Sequence, residues 1–170
     1  QAGRLSSKRP PVLRRAFSYS DALRRAPARD TSAAMIDPPP ALRYEAETKG
    51  IRVRVRPRFL ADRSGPGQWV WAYRVEIENR GEDTVQLVSR RWIITDAAGK
   101  VEEVAGPGVI GETPVLGPGQ RFAYTSGCPL TTPSGSMHGA YQMKDAKGRA
   151  FEVEIPAFVL ETPGQRRVLN

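Results

Sequence analysis

One cysteine, Cys128, and one histidine, His138, are all that this 170-residue chain holds of two chemically versatile residue types. A single thiol excludes an internal disulfide and fits a reducing compartment better than a secreted one. One imidazole and one thiol also fall short of the ligand cluster that zinc or cobalt requires. Glu102, Glu103 and Asp145 could serve a hard cation, but no calcium-loop pattern surrounds them, and they read as solvated acids on turns. No metal site and no cofactor is expected. Long stretches at helical period are missing too, and membrane insertion is not expected. A nucleophilic enzyme would have to bring His138 beside Ser126, Cys128 or Thr125, with an acid such as Asp145 behind it. No spacing in the chain does so, and no catalytic residue is assigned.

Glycine and proline are plentiful, and they concentrate in residues 106–127, GPGVIGETPVLGPGQRFAYTSG. Gly106, Gly108 and Gly111 spell the G-x-G-x-x-G of a dinucleotide site. That site needs a helix opening on the third glycine, whose N-terminus holds the pyrophosphate. Here Glu112, Thr113 and Pro114 follow, then Val115, Leu116, Gly117, Pro118 and Gly119. Prolines and glycines so close together leave no room for a helix, and no P-loop lysine follows. The glycines are expected to supply turns with positive φ between short strands. Gly106, Gly108, Gly111, Tyr124, Thr125 and Ser126 are kept as a possible ligand or partner loop.

Elsewhere the period is two. Ile51, Val53 and Val55 alternate with Arg52, Arg54 and Arg56; Trp69, Trp71, Tyr73, Val75 and Ile77 alternate with Arg74, Glu76 and Glu78. Asn79-Arg80-Gly81 ends that strand. Residues 85–95 form a third strand whose apolar phase shifts between Leu87 and Trp92, as a bulge would make it. A turn at residues 96–100 follows, and further strands are expected at 121–126, 138–144 and 149–155, the last two joined by a turn at 145–148. Trp71, Tyr73, Trp92, Phe122 and Tyr124 read as core, whereas Trp69, after the loop at 64–67, reads as an exposed contact. Short strands with turns between them predict an all-β sandwich.

Many of these residues also recur as motifs. They include Ala72-Tyr73, Asn79, Gln86-Leu87, Arg90-Arg91-Trp92 and Thr95-Asp96, then Gly106, Gly108, Val109, Gly111, Pro114, Leu116, Pro118-Gly119, Phe122 and Tyr124-Thr125-Ser126-Gly127. Thr132-Pro133, Gly135, Met137, Gly139, Tyr141, Met143 and residues 151–158 continue the series. In this order they resemble the ApaG domain, over residues 44–163. The resemblance implies an immunoglobulin/fibronectin type III-like β-sandwich with no catalytic role for residues 124–127. It also implies the family's bacterial label of cobalt and magnesium resistance, and the protein-interaction role of related domains in F-box and polymerase delta-interacting proteins.

Residues 1–40 differ in kind. Arg4, Lys8, Arg9, Arg14, Arg15, Arg24, Arg25 and Arg29 outnumber Asp21, Asp30 and Asp37, giving +5 of the chain's net +8. Such a composition does not build a core and predicts an irregular basic arm, with Pro38-Pro39-Pro40 as an extended spacer. Three readings stand side by side: a mitochondrial targeting segment, an arm contacting RNA or an acidic protein surface, or residues upstream of a bacterial start at Met35. The expected organisation is thus an arm at 1–40, a sandwich at 41–165 and a tail at 166–170. The leading functional expectation is a non-enzymatic protein-interaction subunit of a larger, mitochondrial assembly. A free-standing bacterial ApaG protein and a phosphate or nucleotide binder using residues 106–111 are the alternatives.

Overall fold

The structure, a computed structural model, describes residues 44–164. These residues form nine strands: β1 (Tyr44–Thr48), β2 (Ile51–Phe59), β3 (Trp69–Asn79), β4 (Val85–Asp96), β5 (Val101–Pro107), β6 (Val115–Leu116), β7 (Arg121–Leu130), β8 (Ser134–Asp145) and β9 (Ala150–Glu161). Helix is confined, among the described residues, to a single 3-10 turn at Ala61–Arg63. One sheet runs β1-β2-β3-β7; the other runs β5-β4-β8-β9, with the short β6 also on β4. All pairings are antiparallel. The expected sandwich is what forms.

Pleating decides which residues meet between the sheets. Ile51, Val53, Val55, Trp71, Tyr73, Val75 and Ile77 from the first sheet bury against Leu87, Trp92, Tyr141, Met143, Val153 and Phe158 of the second. Rings interlock at the centre: Tyr73 lies 5.3 Å from Trp92, and Trp92 meets Phe158 edge-on at 5.9 Å. The Trp71 indole N–H, which could not be buried unpaired, donates across the sandwich to the Glu161 carbonyl at 3.1 Å.

The phase shift read in β4 is a bulge. Pairing with β8 slips between Leu87 and Ser89, so Val88 is the extra residue, and Leu87 and Trp92 both reach the core despite their odd spacing. A second slip lies between Met137 and Gly139, where β8 meets β9 near Pro156. Gly139 is obligatory there, because a Cβ would collide with the Arg91 carbonyl oxygen of β4. Trp69 departs from its expected exposure. It is half-buried and packed on the core cluster, since the strand keeps its inward phase from its first residue.

Asn79, only 1% exposed, fastens one end of the sandwich. Its Nδ2 donates to the carbonyls of Asp83 (2.8 Å) and Leu116 (2.9 Å), while its Oδ1 accepts from the Gly81 N–H (3.0 Å). One side chain thereby satisfies groups from the β3–β4 turn and from β6. Truncation to Ala strands these buried partners, so Asn79→Ala should cost about 2–4 kcal/mol in urea unfolding. Asn79→Asp, equal in size, should be comparably destabilising, because a carboxylate cannot donate to two carbonyls. A midpoint unchanged in both variants would contradict this assignment.

Candidate functional site

β5 is the outer strand of its sheet, and the chain leaves it through a tight hairpin. Gly108 N–H donates to the Val88 carbonyl at 2.8 Å; Val109 and Glu112 then exchange N–H to O bonds of 2.8 and 2.9 Å around Ile110-Gly111. Both central residues have positive φ, 45° at Ile110 and 83° at Gly111, as a two-residue hairpin turn of this hand requires. Isoleucine is a costly residue in that conformation. Fully buried Val109 pins the hairpin to the core, and Gly108 cannot be replaced, since a Cβ would run into the Glu112 carbonyl.

Beneath this hairpin sits a polar cluster between the sheets. The hydroxyls of Tyr124 on β7 and Tyr141 on β8 bond at 2.6 Å, and Tyr73 bonds to Ser126. Arg90 extends from β4, its Nη1 donating to the carbonyls of Pro107 (3.0 Å) and Gly108 (2.8 Å). Burial pushes the Tyr73 phenol up to about 12 and raises Tyr124 and Tyr141 as well, against a smaller downward pull from the Arg90 charge. Cys128 is buried on β7, and its thiol is pushed up to about 12, first by burial and then by the Glu102 charge. It is an inert, protonated thiol rather than a nucleophile.

The residues singled out in the sequence therefore separate. Gly106 lies flat in β5 against Arg90, Gly108 and Gly111 make the hairpin, Tyr124 and Ser126 face inward, and Thr125 is exposed on the opposite face of β7. No helix follows Gly111, so the G-x-G-x-x-G has no N-terminus to offer a pyrophosphate. The one histidine is exposed, paired with Ile93 on the outer face of the second sheet, whereas Ser126 and Cys128 belong to the first sheet's inner face. Asp145 is held in its own turn by the Lys147 and Arg149 N–H groups and the Arg149 guanidinium. Nucleophile, base and acid stand apart. The basic residues Arg4, Lys8, Arg9, Arg14, Arg15, Arg24, Arg25 and Arg29 lie outside the described residues.

Two features escaped the sequence reading. Tyr141 was legible as a period-two partner of Met137 and Met143, but its hydroxyl partner was not. Arg90 stood out only within the Arg90-Arg91-Trp92 motif, and its inward direction was not legible, because the bulge that turns it moves its phase. A cleft of about 450 Å3 also opens at the Asn79 end, among Lys49, Glu82, Asp83, Asp145 and Arg149. Its charges are mixed and partly spent internally: Lys49 lies 5.6 Å over the Phe151 ring, and Arg149 pairs with Asp145 at 2.7 Å. Among the described residues, no three His, Cys, Asp or Glu side chains cluster as a metal site, and no helix is long and apolar enough to cross a membrane.

Fold and site define an immunoglobulin/fibronectin type III-like β-sandwich with a polar tyrosine cluster in its interior near one sheet edge. The ApaG domain model matches residues 61–145. Protein ApaG of Mesorhizobium japonicum is 54% identical over 129 residues, covering 75% of this chain and 99% of that protein, and Protein ApaG of Brucella anthropi is 58% identical over the same shares. Among solved structures, the ApaA protein from Bordetella pertussis is similar with TM-score 0.66 and 47% identity, over 67% of this chain and 94% of that one. A Northeast Structural Genomics Consortium target aligns with TM-score 0.66 and 41% identity, over 71% and 93%. The chain belongs to the ApaG domain family. These curated relatives are bacterial, and nothing in them supports a mitochondrial location.

The buried tyrosines make stability depend on alkaline pH. An unfolded tyrosine ionises near 10, whereas the folded Tyr73, Tyr124 and Tyr141 hold their protons to higher pH. Their contribution is complete below pH 10 and drains away as pH rises above it, by up to about 1.4 kcal/mol per pH unit for each phenol. Urea midpoints should fall steeply from pH 10 to 11, and less steeply in Tyr73→Phe. Flat stability across that range, with all phenols titrating near 10 in the folded protein, would refute it.

Proposed function

We propose that this chain is a bacterial ApaG protein that acts in the cytoplasm as a non-enzymatic binding module, taking a protein partner along β5. The observation that carries this reading is the free edge. Among the described residues β5 pairs only with β4, and the register fixes which groups stay open. Gly108 bonds to Val88 and Asp96 to Lys100, so in the alternation of an antiparallel ladder Val101, Glu103 and Ala105 turn their backbone groups outward. Such an edge accepts an added strand. The exposed large hydrophobic residues recorded for the described chain, Val101 (60%), Ile110 (46%) and Val115 (57%), lie on β5 and on the segment that follows it. They supply anchors beside the open backbone. Glu102, Glu103 and Pro107 restrict indiscriminate pairing and leave a selective edge.

The separation of Ser126, Cys128 and His138 supports a role without catalysis. Cobalt or magnesium handling is read as indirect, since among the described residues no ligand cluster stands behind a direct one. The mitochondrial assembly gives way to a bacterial setting because the curated relatives are bacterial.

Glu103→Pro removes an outward donor without touching the β4 ladder. Tagged full-length protein expressed in a bacterium should retain a stoichiometric protein partner. Glu103→Pro should reduce that partner at least tenfold, whereas Gln142→Ala, on β8 two strands in from that edge, should not, both melting within a few degrees of the parent. Identical recoveries from both variants would dismiss the edge as the contact.

A further inference from the structure

The outer face of the first sheet carries an unfinished ladder of charge. At one end the row Glu47, Arg52, Glu78, Arg121 alternates in sign across all four strands. Glu78 is gripped by Arg52 and by Arg121 at 3.0 Å, and Glu47 also takes Arg80 at 2.7 Å. In the next row Arg54 reaches Glu45 at 2.7 Å and Glu76 at 2.9 Å. Then the alternation stops. Arg56 stands directly opposite Arg74, and one row on Arg58 stands opposite Ala72. All three arginines are exposed and have no carboxylate in reach among the described residues. Like charges facing each other across a ladder are destabilising, and two rows away the same sheet resolves that problem with glutamates.

We infer that Arg56, Arg58 and Arg74 form a seat for the phosphodiester backbone of a single-stranded nucleic acid, bound without regard to base sequence. Pleat geometry puts Arg56 and Arg58 about 6.7 Å apart along the strand and Arg56 about 5 Å from Arg74 across it. A row of guanidiniums at such spacing offers forked donors to successive phosphates, the geometry arginine matches best. Beyond Arg74 and Ala72 the rows end in Thr125 and Gly127, short residues that leave the surface flat enough for a strand to lie across. A protein hot spot or a lipid surface would need apolar anchors, and the exposed large hydrophobics, Val101, Ile110 and Val115, lie instead on the β5–β6 stretch of the second sheet. Aromatic stacking platforms are missing from the patch as well, which is why no base preference is assigned.

The chain's own path adds a second, independent observation. Tyr44 pairs with Val55, so the polypeptide before it joins the domain at the Arg56 end of the sheet. Those preceding residues include the arm with eight basic and three acidic side chains in residues 1–40. Arm and patch thus belong to one chain, and phosphate contacts made by both would reinforce each other.

The test uses the full chain and fluorescein-labelled oligouridylate and oligothymidylate of roughly 20 nucleotides, with anisotropy read between about 50 and 200 mM salt. The triple variant Arg56→Gln/Arg58→Gln/Arg74→Gln should bind at least tenfold more weakly at the same salt. Its log–log salt slope should be shallower by about 2, at about 0.7 per lost phosphate contact. Lys100→Gln/Lys144→Gln/Lys147→Gln, which removes the same charge elsewhere, should change affinity less than threefold. Arg56→Glu should weaken binding while raising the urea midpoint, because it continues the alternating ladder. Equal losses in the two triple variants would reduce the effect to net charge and overturn the seat, as would no loss in either. Tighter, patch-dependent binding to phosphatidylglycerol vesicles or to an oligoglutamate peptide would overturn it in favour of those partners. None of these readouts involves β5, so failure here leaves the edge-strand reading standing, and the reverse.

Discussion

Side chains alternate across a pleated strand, and that single constraint organises the whole molecule. Each sheet can bury only every second residue, so neither sheet holds together in water by itself, and the two must close on one another. In β2 the rule is followed without exception through Ile51, Val53 and Val55. In β4 it would fail, because Leu87 and Trp92 lie an odd number of residues apart. The bulge at Val88 restores it at the cost of one residue left without a partner on β8. The same extra residue turns Arg90 inward, where it clasps the carbonyls of Pro107 and Gly108 and closes the edge above the tyrosines. A packing correction in the ladder thus brings a cation to the edge of the sandwich beside the buried tyrosines.

How far the sequence discloses the fold follows from the same rule. Strands with one wet and one dry face write their phase into the chain, and β2, β3, the bulge and the turns at 79–81, 96–100 and 145–148 were all readable. β1 and β5 were not. Both are outermost strands of their sheets, and Val101-Glu102-Glu103-Val104 has no alternation because β5 buries little on either face. The ends of β7, β8 and β9 ran further than their apolar pattern indicated, since backbone pairing continues where side chains no longer need to be buried. Trp69 was misjudged because the glycine- and proline-containing loop before it suggested exposure, while the pleat had already set its direction.

The glycine-rich motif shows a different limit. Prolines after Gly111 were enough to exclude a phosphate-binding helix, and the hairpin bears that out. Yet no sequence feature reveals that Ile110 adopts a positive φ or that buried Val109 anchors the turn. A β-branched residue in that conformation persists only when its surroundings over-determine it. Here two backbone bonds, a glycine with no room for a Cβ and a clamped pair of carbonyls do so.

Burial of one face leaves the opposite face free to be written for another purpose. β2 needs apolar residues at 51, 53 and 55, but the core has no say in whether 52, 54, 56 and 58 are basic, acidic or neutral. On β1 and β3 the reply to Arg52 and Arg54 is glutamate, and those pairs are explained by the sheet itself. The reply to Arg56 is another arginine. Folding stability cannot account for a like-charged pair set beside a working solution to the same problem. On the reading proposed above, the explanation of this face lies outside the fold, in a negatively charged body that completes the ladder.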